Sequence, residues 1–111
     1  MRTELVIAQG TTWAITWPIT DTAGNPLNID GWTVRSQVRP DAASPTVLHQ
    51  WSTTLGNAEA ANSTVTLSVR PVDSTPWTWR RGVYDVELVD LTGRVARITE
   101  GSVTVSPEVT R

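Results

Sequence analysis

At 111 residues the chain is long enough for one domain with a single modest core. Hydrophobic residues make up 39% and charged residues 18%, a balance that excludes a disordered tail. With no cysteine, a single histidine (His49) and a net charge of −2, disulfide scaffolds, zinc ribbons, thiol nucleophiles and a histidine-rich metal centre are excluded, and nucleic acid is not an expected partner.

Thr and Val recur along the chain and favour pleated, half-buried surfaces. Thr3–Ala8 reads as a first strand, stopped by Gln9-Gly10. Thr11–Thr20 is a second, in which Trp13, Ile15 and Trp17 alternate with Thr12, Ala14 and Thr16. Pro18 cannot donate to a ladder, so that end of the strand belongs at an edge or a bulge. Asp21 to Pro26 is a dense turn signal. A third strand, Trp32–Arg39, sets Trp32, Val34, Ser36 and Val38 on one face and Thr33, Arg35, Gln37 and Arg39 on the other. After a loop from Pro40 to Pro45, Thr46–Ser52 is a fourth strand carrying Leu48, His49 and Trp51. Leu55–Ser63 is a small, polar connection with room for one helical turn at Ala58–Ala61. Thr64–Arg70 turns Val65, Leu67 and Val69 inward before Pro71 and Pro76 break the chain. Val83–Asp90 places Tyr84, Val86 and Leu88 on one face. The hairpin turn Leu91-Thr92-Gly93 leads to Arg94–Thr99, and a last strand, Ser102–Ser106, ends at Pro107. Seven or eight short strands with no convincing helix predict an all-β antiparallel sandwich, or a small barrel, as one domain over 1–111. No stretch approaches the roughly 18 apolar residues of a membrane span, and the start is too short in apolar residues for a signal peptide.

Two blocks carry a resemblance. The first runs from Gly10 to Arg39, with Asp21, Gly24-Asn25-Pro26-Leu27, Ile29, Gly31-Trp32-Thr33-Val34 and Gln37-Val38-Arg39. The second is Gly82-Val83-Tyr84-Asp85-Val86-Glu87-Leu88, then Leu91, Gly93-Arg94-Val95, Gly101-Ser102-Val103-Thr104-Val105 and Val109-Thr110-Arg111. In order and spacing they resemble the immunoglobulin-like β-sandwich modules of tailed-bacteriophage virions, such as the N-terminal domain of baseplate upper proteins and small tail or capsid-associated proteins. The resemblance implies an immunoglobulin-like antiparallel sandwich that is a non-enzymatic structural protein of the virion, made in the host cytoplasm. Tail or baseplate is the expected place, with a minor capsid or decoration role as the alternative. Its partners would be other virion proteins and copies of itself, with no membrane and no small-molecule substrate. No receptor-binding extension is expected after Arg111.

Catalytic groups do not assemble in the sequence. Asp85 and Glu87 are two carboxylates on one strand face, best accounted for as solvated or paired with arginine. His49, Ser52 and Asp41 lack a nucleophile elbow and an oxyanion-hole glycine cluster. No catalytic residue, cofactor or metal is therefore expected. Asp21, Asn25 and Asp30 offer oxygens around a glycine without EF-hand spacing, and Asp, Asn and Gly are what a turn itself requires. Trp13, Trp17 and Trp32 share the alternation of Ile15 and Val34 and are assigned to the core rather than to a sugar-stacking platform. Trp51 lies on a weaker alternation.

Trp77 and Trp79, between Pro76 and Arg80-Arg81-Gly82, have the composition of an interface hot spot. The competing account folds both rings over the open end of the sandwich. Arg35, Gln37 and Arg39 form a polar stripe, either a wet face or a docking surface for an acidic neighbour. The expected interface residues are thus Trp77, Trp79, Arg80, Arg81, Arg35 and Arg39. A carbohydrate-binding module using exposed Trp is the alternative from another class. All nine basic residues are Arg, so no lysine guards a strand edge. At least one edge is expected to be covered by a neighbouring chain, or blocked by Pro18 or Pro40.

Overall fold

The computed structural model describes residues 1–56 and 63–110. Among them, nine strands and one helical turn form two sheets: β1 Leu5–Ala8, β2 Trp13–Pro18, β3 Thr33–Arg35, β4 Gln37–Arg39, β5 His49–Gln50, β6 Ser52–Gly56, β7 Thr64–Val69, α1 Pro71–Ser74, β8 Arg81–Val89 and β9 Val95–Ser106. The larger sheet runs β1-β9-β8-β4-β5, with β3 also on β8; the smaller runs β2-β7-β6. This division of strands is that of an immunoglobulin-like sandwich. One pair departs from the antiparallel expectation: β1 lies parallel to β9, in register from Leu5↔Val103 to Ala8↔Ser106.

The alternation of the sequence sets what each sheet turns inward. Trp17, Val65, Leu67 and Val69 from the smaller sheet meet Leu5, Ile7, Val38, Tyr84, Val86, Leu88, Val103 and Val105 from the larger. Trp13, Trp32 and Val34 are half-buried against this core, and Trp51 is buried with 4% of its surface exposed. The outer face of the smaller sheet is the opposite case. Ala14, Thr16 and Pro18 of β2 align with Ser68, Thr66 and Thr64 of β7, and these with Ser52, Thr54 and Gly56 of β6. None of them bears a charge, and the Thr16 and Thr66 hydroxyls bond across the strands at 2.8 Å.

Four boundaries differ from the sequence reading. The third strand is interrupted at Ser36, whose hydroxyl donates to the Asp85 carbonyl at 2.5 Å; β3 and β4 lie on either side of it along β8. The fourth is split at buried Trp51, where the chain leaves the larger sheet as β5 and joins the smaller as β6. The two last strands are one. Gly101 does not break β9; a Cβ there would collide with the carbonyl oxygen of Thr3, just ahead of β1. It is a close approach of two backbones, so glycine is needed for space rather than for a turn. Finally, one helical turn exists at Pro71–Ser74, with proline at its start and Asp73 reaching back to the Arg70 N–H at 3.1 Å. The helical turn expected at Ala58–Ala61 lies outside the described residues.

The polar turns are built as their residues suggest. Asp21 Oδ1 accepts the N–H groups of Ala23 and Asn25 at 2.9 and 3.0 Å. Asp90 Oδ1 does the same for Thr92 and Arg94, with Gly93 at φ 86° closing the β8–β9 hairpin. Trp17 is 6% exposed at the centre of the sandwich. Trp17→Ala is expected to lower unfolding free energy by about 3–5 kcal/mol in chemical denaturation, with the native fold retained by circular dichroism.

Candidate functional site

The outer face of the larger sheet is as charged as that of the smaller sheet is neutral. Residues of β3 and β4 that alternate away from the core, Arg35, Gln37 and Arg39, face Val83, Asp85 and Glu87 of β8 and Arg97 and Glu100 of β9. Together with Arg2 and Asp41 they line a groove of about 570 Å³. Arg35 Nε donates to Glu87 Oε1 at 2.8 Å. Arg97 lies 2.8 Å from Glu100 and 3.4 Å from Asp85, and Arg2 pairs with Glu4 at 2.7 Å. Arg39 folds back on its own loop, donating to the Ser44 carbonyl at 2.8 Å and to Gln37 Oε1 at 2.9 Å. The stripe expected from the sequence is therefore real, but its cations are engaged within the domain.

Asp85 is the least satisfied member. It sits partly buried mid-strand, and that burial, reinforced by Glu87, pushes its carboxyl above the ordinary carboxylate range despite Arg97. The groove can hold a polar or charged group by exchange with these ion pairs. The carboxylates Asp85 and Glu87 are each matched to an arginine, as the sequence reading held.

The Trp77–Arg81 segment requires a correction. Its two rings are not an exposed pair: Trp77 is 9% exposed and Trp79 is half-buried against the core. The rings run in a chain through the sandwich. Trp79 lies 4.7 Å from Trp77, Trp77 4.9 Å from His49, His49 5.4 Å from Trp51, and Trp51 5.5 Å from Trp13, centroid to centroid. The alternative in which the rings cap the open end describes this arrangement. Arg80 and Arg81 remain exposed. Arg81 opens β8 and stands in the same outward row as Val83, Asp85 and Glu87, so the structure places it on the face that carries Arg35 and Arg39. The Arg80 carbonyl accepts from Val105 N–H at 2.8 Å.

The sequence reading gave no role to Gln9. Its side chain, on a residue only 8% exposed, points into the loop beneath Trp77. Nε2 lies 3.0, 3.0 and 2.9 Å from the carbonyls of Ser74, Thr75 and Trp77, and Oε1 accepts from Glu108 N–H at 3.3 Å. Gly10 N–H adds a bond to the Ser74 hydroxyl at 2.7 Å. Continuing the inward row Leu5, Ile7 by one step would have found Gln9 in the sequence.

Two outcomes follow from this geometry. Trp77→Ala should cost about 3–5 kcal/mol of stability in denaturant titration, while Arg80→Ala should stay within about 0.5 kcal/mol of the wild type. For Asp85 the folded carboxyl holds its proton to higher pH than the unfolded one, so its contribution to stability declines as pH rises through that interval. Asp85→Asn should consequently be no less stable than the parent at pH 7, measured as Tm. A large loss there would mean that the Arg97 contact outweighs burial.

No family model matches the chain, and no curated protein matches it. Among solved structures similar to it is the sialic acid binding region of the Streptococcus sanguinis SK1 adhesin bound to 3'sLn, at 14% identity and a TM-score of 0.50. The alignment covers 97% of this chain and 29% of that one. The likeness is one of fold: an all-β sandwich.

Proposed function

We propose that this chain is a structural component of a tailed-bacteriophage virion, placed in the tail or baseplate, and that it acts through protein–protein assembly contacts rather than catalysis. Decoration of the capsid is the alternative place. The resemblance of the Gly10–Arg39 and Gly82–Arg111 blocks supports the virion setting. The observation that carries the assembly reading is the open edge of the smaller sheet.

Among the described residues, β2 bonds β7 on one side only. The Ile19 N–H donates to the Ser63 carbonyl at 2.8 Å, which fixes the parity of the strand: the odd residues point their backbone groups at β7. The backbone groups of Ala14 and Thr16 then point away from the sheet, and Pro18, which has no N–H to offer, stands on the same outward side. Such an edge is usually guarded by lysine, other charges or proline; over Trp13–Pro18 there is no charge, and Pro18 blocks only the end of the strand, leaving Ala14 and Thr16 unguarded. A strand from a neighbouring subunit suits it. In a symmetric particle many weak contacts of this kind add through multivalency.

A second reading, an acidic glycan held in the groove of the larger sheet, is favoured by the four arginines that line it and by what the similar adhesin region binds. Each arginine already has a partner in the domain, so a sugar carboxylate must displace one. The ring-platform version of glycan binding has less support, since Trp17, Trp51 and Trp77 are buried.

Mass spectrometry of purified particles of the encoding phage should find this chain at a fixed ratio to the other structural proteins. Its absence from particles overturns the virion reading. Thr16→Lys, on the exposed face of β2, should leave the fold unchanged and lower incorporation. Incorporation at the wild-type level would remove the β2 edge from the assembly contact. A shift of Trp fluorescence on adding sialylated oligosaccharide, with no incorporation, would favour the glycan reading.

A further inference from the structure

The chain has one histidine, and its environment is unusual for a group that titrates near neutrality. His49 lies on β5, the two-residue edge strand of the larger sheet. Its ring is edge-on to Trp51 at 5.4 Å on one side and to Trp77 at 4.9 Å on the other. Nε2 is buried and has no hydrogen-bond partner among the described residues. The indole N–H groups of Trp51 and Trp79 in the same cluster are buried without partners as well. Whichever nitrogen carries the proton of the neutral ring, the doubly protonated ring must place an N–H at Nε2, where the described residues offer no acceptor.

We propose that His49 is an acid-sensitive latch: a proton added to its ring releases the Trp77 and Trp79 rings from the aromatic cluster and turns them toward solvent beside Arg80 and Arg81. The charged groups around the latch are few. From α1, Asp73 is the charge that reaches His49, and it is held by Arg70 at 3.0 and 3.1 Å. Across β4 the paired residue is Val38, which carries no charge. From the core side come Trp51 and, behind it, Tyr84, whose hydroxyl donates to the Thr3 carbonyl at 2.6 Å. Among the described residues, therefore, no carboxylate bonds the imidazolium directly. Burial lowers the His49 pKa below its ordinary 6.5, with Asp73 pulling it back.

The sign of the effect is fixed by this. The unfolded or released ring takes up a proton more readily than the packed ring, so the packing is fully favoured above about pH 6.5 and weakens as pH falls below it. What gives way is also fixed. Gln9 holds the segment's backbone at Ser74, Thr75 and Trp77, whereas the Trp77 ring is held by its edge contact with His49, its tilted contact with Trp79 and its burial against the core. The rings can leave while the backbone stays anchored. The latch is a property of the isolated domain and stands whether or not the segment docks a partner.

The test follows the His49 ring by NMR and tryptophan emission and acrylamide quenching in parallel, from pH 8 to pH 4.5, on the intact chain. The expected result is an imidazole midpoint below 6.5, with emission moving to longer wavelength and quenching rising at the same midpoint. Asp73→Asn should move that midpoint lower. His49→Phe should abolish the transition in this range, and the double variant Trp77→Phe, Trp79→Phe should remove most of the emission change. A midpoint at or above 6.5 overturns the proposal, because attraction between the imidazolium and the ring faces would then stabilise the packed state. An imidazole that titrates with no change in emission or quenching also overturns it. So does a transition that persists in His49→Phe. Should His49→Phe fail to fold, the wild-type and Asp73→Asn midpoints decide alone.

Discussion

One buried amide organises the end of the sandwich. Gln9 lies where the chain leaves the larger sheet as β1 and enters the smaller as β2, a place where the backbone must turn away from both ladders. Its two amide hydrogens are shared among three carbonyls, that of Ser74 at the end of α1 and those of Thr75 and Trp77 after it, and its oxygen takes a fourth bond from the backbone beyond β9. A buried amide left unpaired costs about 1–3 kcal/mol, so the segment and the amide hold each other in place. Everything that depends on where Trp77 sits, the aromatic chain through His49 to Trp51 included, rests on that exchange.

The two sheets meet in a common core but present different exteriors. The larger sheet carries ion pairs across β3, β8 and β9, where arginines from neighbouring strands offset only part of the cost of burying Asp85. The smaller sheet carries short hydroxyl and apolar side chains with no charge at all. Recognition of a charged group belongs to the first face and close approach of another backbone to the second. The tryptophans belong to neither exterior: Trp17, Trp51 and Trp77 are buried in the interior, and Trp13, Trp32 and Trp79 are half-buried against it.

Much of the fold was legible because strand burial has a period of two. Trp17, Val65, Leu67, Tyr84, Val86 and Leu88 point inward as their alternation requires. What was not legible depends on partners remote in sequence. Ser36 and Trp51 interrupt strands because of what they meet in the tertiary structure, and Gly101 looks like a break until the Thr3 carbonyl is placed beside it. The candidate site shows the same limit. Arg35 and Arg39 lie on the outer face as their parity demands, yet their bonds to Glu87 and Ser44 could not be read from the strand alone. Trp77 looked like a surface anchor because its flanking prolines and arginines are local signals, while His49, the ring that buries it, lies on another strand.

The parallel pairing of β1 with β9 has a mechanical consequence. Backbone bonds link the two strands from the Thr3 N–H to Glu100 through to the Gln9 N–H to Ser106, with evenly spaced pairs between. Because the strands run the same way, a pull on the chain ahead of β1 and behind β9 draws them past each other along their length. The load then falls on the whole row of bonds at once, in shear, instead of opening them one after another as a zipper. The absence of a side chain at Gly101, which lets the backbone of Thr3 ahead of β1 lie close against β9, is thus also what keeps that row continuous under tension.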